Sequence, residues 1–354
     1  MSRLYMNTAP THIRTSHSLP ARHSHYKTPL PSSTIPSAKM AGTLPILDLQ
    51  ELQGSSSSEN LREACEKWGC FRLVNHGVPV KLMSEMKSVV GELFDLPIDV
   101  KRRNVDVLSG SGYVALSSKN PLYEALGLYD MGSAAAVHKF CDQLAASPQH
   151  RETILSYAEA IHGVAMQVAA KMAESLGVVG RSDDGAGLFE GWPCQFRINK
   201  YHFQPETVGS PGVQIHTDSG FLTLLQEDES VGGLEVMDPS DAGYIPVDPV
   251  PGSFLVNLGD LATVWSNGKL RNVKHRVQCK EAAVRISIAT FLLGPPRDTV
   301  VEPPPAFVDD VHPRLYRPIS YDGFRELRRV TDKHAGEALQ LLQGPPPAAS
   351  MDQI

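Results

Sequence analysis

Residues 214–220 carry an imidazole and a carboxylate two positions apart, at His216 and Asp218. On a β-strand, residues i and i+2 point to the same face, so these two side chains could bind one metal ion together. A third ligand has to come from another part of the chain, and His275 is the best candidate. Two histidines and one carboxylate on one face of a metal leave other coordination positions open, as in non-haem Fe(II) oxygenases.

A His-x-Asp pair alone is weak evidence in a chain with 13 histidines, where a surface strand or turn is the more common explanation. A second polar pair, Arg285 and Ser287, follows His275 within the apolar run 284–293. On a strand these two also share a face, where a guanidinium fork and a hydroxyl can bind a carboxylate. Because an unpaired buried charge is costly, we predict that Arg285 binds the distal carboxylate of a keto-acid cosubstrate.

The order and spacing of these residues resemble the signature of plant 2-oxoglutarate/Fe(II)-dependent dioxygenases. The resemblance runs from about Leu44 to about Leu342, and flanking segments that share it are 68–71, 74–78, 197–201, 233–236, 256–260 and 265–268. It implies a mononuclear Fe(II) centre and 2-oxoglutarate as cosubstrate. The implied metal ligands are His216, Asp218 and His275, and the implied cosubstrate contacts are Arg285, Ser287, Tyr201 and Asn199.

The reaction implied by this resemblance is an oxidation in which 2-oxoglutarate and dioxygen are consumed and succinate and CO2 are released. Ascorbate is expected to support the iron, and no side chain has to act as a general base. Two alternative functions use the same metal-binding residues: a jelly roll that binds metal without catalysis, and a zinc hydrolase. The Arg285-x-Ser287 pair disfavours both, since neither needs a clamp for a keto acid.

The substrate is suggested by a closer similarity to plant auxin dioxygenases, which convert indole-3-acetic acid to 2-oxindole-3-acetic acid. Four segments carry it: 109–114, 120–124, 192–197 and 216–235. We interpret 109–124 as a loop that brings Tyr113 towards the pocket. Aromatic residues predicted to line that pocket are Tyr113, Trp192, Phe196, Phe221 and Phe291, although each is also consistent with core packing. A gibberellin or another small acid or phenolic is the alternative substrate, and no motif identifies a residue that would anchor the substrate carboxylate.

Short segments broken by Gly, Pro, Asp and Asn indicate a sandwich or barrel. Predicted strands are 195–203, 213–216, 221–226, 233–236, 243–247, 253–256, 275–279 and 284–293, and predicted helices are 59–68, 81–94, 151–176 and 321–342. The expected fold is mainly β with flanking helices: a double-stranded β-helix (jelly roll) core, implied by the resemblance, with an N-terminal α/β region. The expected organisation is a disordered extension (1–43), an N-terminal dioxygenase region (44–145), a long helix and link (146–190), the jelly-roll core (191–295) and a C-terminal segment with a helix (296–354).

The first 39 residues contain five Lys or Arg and no Asp or Glu, and they are rich in Ser, Thr and Pro. Such a segment cannot bury a core, so we predict disorder. Its composition also suits an organellar transit peptide, although an extension upstream of a start at Met40 is the simpler interpretation.

Composition and charge exclude two classes of partner. The net charge of −6 offers no electrostatic basis for binding nucleic acid. No apolar run reaches the roughly 18 residues that span a bilayer. The five cysteines are odd in number and contain no CxxC pair, which fits reduced thiols in the cytoplasm.

Overall fold

The computed structural model of the chain describes residues 44–52, 55–105, 108, 111–118, 120–178, 186–297 and 299–344. The predictions of disorder and of targeting for the first 43 residues lie outside this description, as does the first part of the loop at 109–110. No helix in the described ranges is long and apolar enough to cross a membrane.

Strands and helices alternate in the first half of the chain, and strands dominate the second. The strands are β1 (Ile46–Asp48), β2 (Cys70–Val74), β3 (Tyr123–Leu128), β4 (Cys194–His202), β5 (Pro211–His216), β6 (Leu222–Gln226), β7 (Leu234–Met237), β8 (Tyr244–Pro246), β9 (Phe254–Leu258), β10 (His275–Gln278), β11 (Val284–Leu292), β12 (Val300–Val301) and β13 (Ile319–Ser320). The helices are α1 (Ser55–Glu63) with a π-helical turn (Ala64–Trp68), α2 (Val80–Phe94), α3 (Ile98–Lys101), α4 (Ala134–Gln143), α5 (Pro148–Ser175), α6 (Asp260–Trp265), α7 (Tyr321–Thr331) and α8 (Glu337–Gln340), with short 3-10 turns at Ala186–Leu188, Pro205–Thr207 and Pro305–Phe307.

Two sheets form the core of the described fold. The larger has seven strands in the order β1-β2-β9-β6-β11-β4-β3, and the smaller has four in the order β5-β10-β7-β8. Every pairing is antiparallel except β1 with β2. Leu225 and Ala289 of the larger sheet share one buried cluster with Val236 and Val277 of the smaller. The sheets therefore pack face to face, and the predicted jelly-roll core is confirmed.

The other face of the larger sheet is covered by helices. Tyr157 and Ile161 of α5 belong to the same buried cluster as Ile198 of β4 and Ile288 of β11. Because side chains alternate across a strand, residues one position away from these point into the space between the sheets. This alternation decides which side chains can reach a site there.

Three sequence predictions of local structure were wrong. Tyr123 and Glu124, predicted as the end of a loop, begin strand β3, because the edge of the sheet at β4 accepts a sequence with few β-branched residues. Helix α1 begins at Ser55 rather than at residue 59. The helix predicted over 321–342 ends at Thr331, since Asp332 adopts a left-handed conformation with φ 54°.

Candidate metal centre and anion pocket

His216, Asp218 and His275 converge between the two sheets. His216 ends β5 and His275 begins β10, and these residues lie directly opposite each other in the antiparallel register. The Nε2 atoms of both histidines are 3.7 Å from Oδ1 of Asp218. Potential ligand atoms from all three lie within 4.8 Å of one another, and this is the one such cluster of three or more His, Cys, Asp or Glu residues in the described part of the chain.

Asp218 reaches the cluster from a turn and not from the strand that was expected, because β5 ends at His216. The turn is held by the start of α6. The backbone N–H groups of Gly259, Asp260 and Leu261 donate to the carbonyls of Phe221, Asp218 and Gly220, at 2.9, 2.8 and 3.1 Å. A Cβ atom on Gly259 would lie 2.2 Å from the Gly220 carbonyl oxygen, so the close approach requires glycine there.

The imidazole rings are oriented by main-chain carbonyls. Nδ1 of His216 lies 2.9 Å from the Gln214 oxygen, and Nδ1 of His275 lies 3.2 Å from the Val273 oxygen. A carbonyl can only accept, so each Nδ1 carries the proton and each Nε2 presents its lone pair to the cluster. Burial, together with neighbouring His275, lowers the pKa of His216 to about 4. The ring is therefore neutral near pH 7, as a metal ligand must be.

Asp218 is oriented by Thr223, whose hydroxyl donates to Oδ2 at 2.6 Å. The other carboxylate oxygen, Oδ1, is the one that lies 3.7 Å from both histidines. The sequence offered no signal for this role of Thr223, since a threonine within a strand is ordinary.

Arg285 lies on the interior face of β11 and is only 1% exposed. Its Nε and Nη1 groups have no hydrogen-bond partner among the described residues. A buried guanidinium with unpaired N–H groups is costly, and a carboxylate is the group whose geometry and charge fit it. The chemistry of this site therefore fits the distal end of a keto acid.

Three further predicted residues surround Arg285. In the register of β4 and β11, Tyr201 lies opposite Arg285 and Asn199 lies opposite Ser287. The Asn199 amide donates to Ser287 Oγ at 3.3 Å, and the Arg285 guanidinium carbon is 5.0 Å from the centre of the Tyr201 ring. Burial raises the pKa of Tyr201 to about 12, against the opposing effects of Arg285 and Ser287, so the phenol keeps its proton. The fold thus brings the four predicted cosubstrate residues together.

The predicted aromatic pocket residues are not brought together in the same way. Phe291 shares the interior face of β11 with Arg285. Phe196 faces the helices instead, fully buried with its ring 5.8 Å from Tyr157. Phe221 and Trp192 stack edge to face at 5.5 Å in a separate aromatic cluster.

Tyr113 is anchored in a buried polar network. Its hydroxyl donates to Glu124 Oε2 at 2.9 Å, and the same carboxylate binds Lys101 at 3.0 Å and His202 at 2.9 Å. Although burial alone raises the pKa of Glu124, these hydrogen bonds lower it to about 2. The network ties the segment around Tyr113 to the sheet edge.

Comparison with known proteins fits this geometry. Residues 192–294 match the model of the 2OG-Fe(II) oxygenase superfamily, and residues 44–145 match that of the N-terminal region of a non-haem dioxygenase in morphine synthesis. The 2-oxoglutarate-dependent dioxygenase DAO of Oryza sativa subsp. indica is 54% identical over 302 residues, which cover 84% of this chain and 98% of the relative. The chain belongs to the 2-oxoglutarate/Fe(II)-dependent oxygenase superfamily.

Two solved structures of related proteins are similar to this oxygenase in both sequence and fold. The crystal structure of the dioxygenase for auxin oxidation in rice is 53% identical with a TM-score of 0.78, and the match covers 85% of this chain and 100% of that one. The dioxygenase for auxin oxidation 1 of Arabidopsis thaliana, as a binary complex with 2-oxoglutarate, is 58% identical with a TM-score of 0.73, covering 77% and 100%. The predicted enzyme class, the Fe(II) cofactor and the 2-oxoglutarate cosubstrate are confirmed.

Proposed function

We propose that this oxygenase converts indole-3-acetic acid to 2-oxindole-3-acetic acid, which inactivates auxin. One atom of dioxygen enters the indole ring and the other enters the succinate formed from 2-oxoglutarate, with release of CO2. The observation that carries the proposal is the 54% identity, over 84% of the chain, with the rice dioxygenase DAO. The structural match to the rice dioxygenase for auxin oxidation supports it.

In this proposal His216, Asp218 and His275 hold the iron. Their geometry supports that role, because two Nε2 lone pairs and Oδ1 of Asp218 face one point while backbone carbonyls and Thr223 hold the opposite sides of these groups. Fe(II), when bound, supplies the activation of dioxygen at positions that the three ligands leave open. The protein residues hold and orient the metal.

Arg285 and Ser287 bind the distal carboxylate of 2-oxoglutarate, and Tyr201 and Asn199 support them. The unpaired Nε and Nη1 groups of Arg285 are the main support for this assignment. Ser287 Oγ accepts a hydrogen bond from the Asn199 amide, and its side chain also hydrogen-bonds Tyr201, so the hydroxyl lies within the same polar group as Arg285.

The substrate carboxylate needs a cation on the interior face, and Arg197 offers one. It lies on β4 two residues before Asn199, so both side chains point into the space between the sheets. Its hydrogen-bond partners among the described residues are neutral: the Ser111 and Gly112 carbonyls at 2.9 and 2.8 Å, and the Tyr123 hydroxyl at 3.3 Å. We assign the flat apolar part of the substrate to the same face, beside Phe291.

Turnover by the purified, Fe(II)-loaded chain tests the proposal. With 2-oxoglutarate and dioxygen present, indole-3-acetic acid should give stoichiometric succinate and a product heavier by one oxygen atom, identified by mass spectrometry. A His275→Ala variant should release no succinate. If a gibberellin supports succinate release and indole-3-acetic acid does not, the auxin assignment is wrong while the oxygenase assignment stands.

A reducing, cytoplasmic compartment is part of this proposal. All five cysteines are free thiols buried in the fold. Burial raises the pKa of Cys65, Cys70 and Cys194, so these thiols stay protonated and unreactive.

A further inference from the structure

A buried ion pair lies behind the turn that carries two of the three metal-binding candidates. Arg328 of α7 donates through Nη1 to Oδ2 of Asp260, which is fully buried at the first position of α6. The other carboxylate oxygen accepts from the Asn272 amide at 2.6 Å. Arg328 is itself 8% exposed, so both charges are shielded from water and each depends on the other.

Thr217, the residue between His216 and Asp218, is bound by this pair. Its hydroxyl donates to Asp260 Oδ2 at 3.0 Å, and its carbonyl accepts from Nη2 of Arg328 at 2.7 Å. Its backbone N–H donates to the carbonyl of His334 at 2.9 Å. The hydroxyl, carbonyl and N–H of Thr217 are therefore all held, by Asp260 at the start of α6, Arg328 of α7 and the His334 carbonyl.

The end of α7 at Thr331 makes the contacts with the His334 carbonyl possible. Asp332 is left-handed, and the chain then turns back so that the His334 carbonyl also accepts from Nη2 of Arg328 at 2.9 Å. A helix continued from Thr331 would carry that carbonyl away from Thr217. The early end of α7, which the sequence did not predict, thus brings the C-terminal segment onto the metal-ligand turn.

We propose that Arg328, acting with Asp260, is a positioning residue of the metal centre. The pair fixes Thr217 and so sets the separation of His216 and Asp218 before the metal binds. If the metal had to order its ligands on binding, part of the binding free energy would be lost. A turn that already holds His216 and Asp218 in place therefore raises metal affinity. This inference rests on the proposed metal centre and is independent of the identity of the substrate.

Calorimetric titration of the metal-free, full-length chain with Mn(II) tests it. Arg328→Met should weaken Mn(II) binding about tenfold or more, the scale seen when outer contacts of metal ligands are lost. Arg328→Lys keeps a charge beside Asp260 but cannot donate to the carbonyls as a fork, so about a threefold loss or more is expected.

Arg72→Met is the matched control. Arg72 forms another buried ion pair, with Glu227, and donates to the Asp248 carbonyl at 2.8 Å, but contacts neither the metal ligands nor Thr217 in the described structure. Arg72→Met should lower the melting temperature, as Arg328→Met does. Its Mn(II) affinity should stay within about twofold of the parent chain, because losing this ion pair does not change the position of the metal ligands.

An unchanged Mn(II) affinity in folded Arg328→Met refutes the inference, and so does an equal loss of affinity in Arg72→Met. If Arg328→Met does not fold, Arg328→Lys decides: an affinity equal to that of the parent chain refutes the positioning role. A parent chain that binds no Mn(II) refutes the metal centre itself, and this inference with it.

Discussion

Replacing Arg285 with lysine is expected to weaken 2-oxoglutarate binding far more than metal binding. Arg285 is 1% exposed, and two of its N–H-bearing atoms, Nε and Nη1, are unpaired among the described residues. Lysine keeps the positive charge but replaces the planar fork with a single ammonium, so a bidentate contact with the distal carboxylate becomes impossible.

The expected loss of binding free energy for 2-oxoglutarate is that of one charge-assisted hydrogen bond, about 1.5–3 kcal/mol. This corresponds to a dissociation constant for 2-oxoglutarate that is about 10- to 150-fold higher. The affinity for the metal should stay within about twofold, because Arg285 contacts none of the three candidate ligands and acts on them only through the keto acid.

Calorimetric titration of the Mn(II)-loaded chain with 2-oxoglutarate measures this change, with a separate Mn(II) titration of the metal-free variant. Arg276→Lys is a suitable control, since Arg276 pairs with Glu235 at 2.8 Å on the opposite face of β10. It should leave the affinity for 2-oxoglutarate unchanged. If Arg285→Lys binds 2-oxoglutarate as tightly as the parent chain, or if Arg276→Lys loses as much, the carboxylate clamp lies elsewhere.

Four other predictions follow from named contacts. Thr223→Val should weaken Mn(II) binding about tenfold in calorimetry, because Asp218 loses the hydrogen bond that orients it; equal affinities would contradict this role. Gly259→Ala should lower the free energy of unfolding in urea by about 1–3 kcal/mol, since its Cβ meets a carbonyl oxygen; unaltered stability would mean that the turn can shift. Glu124→Gln should be less stable than the parent chain at pH 7. Because the folded-state pKa of Glu124 is lowered to about 2 from its ordinary 4.5, that difference should be complete above pH 4.5 and shrink as the pH falls towards 2, in unfolding curves measured across that range; a constant difference would exclude ionisation as its source. Indole-3-acetic acid should exceed its amide by about one to two orders of magnitude in kcat/KM, because a polar group left unpaired in a dry pocket costs about 1–3 kcal/mol; a better amide would rule out a carboxylate anchor.

The candidate site was predicted from sequence to the extent that its members are close in the chain or carry a recognisable pattern. His216 with Asp218, and Arg285 with Ser287, are two residues apart, and His275, proposed as the third ligand, fits the order and spacing of a known family. Strand alternation also predicts the direction in which Phe196 points. Asn199 and Tyr201 share a face of β4, so Phe196, an odd number of residues away, must point to the other face.

Only the tertiary structure decided how these residues are held. The register that places His275 opposite His216 depends on sheet pairing, and Thr223 became important because its hydroxyl reaches Asp218. Arg328 is 68 residues from Asp260, and an arginine on an amphipathic helix looks like any solvated charge. Local sequence determines periodicity, turns and the chemistry of each side chain, whereas which distant groups share a buried partner depends on how the elements pack.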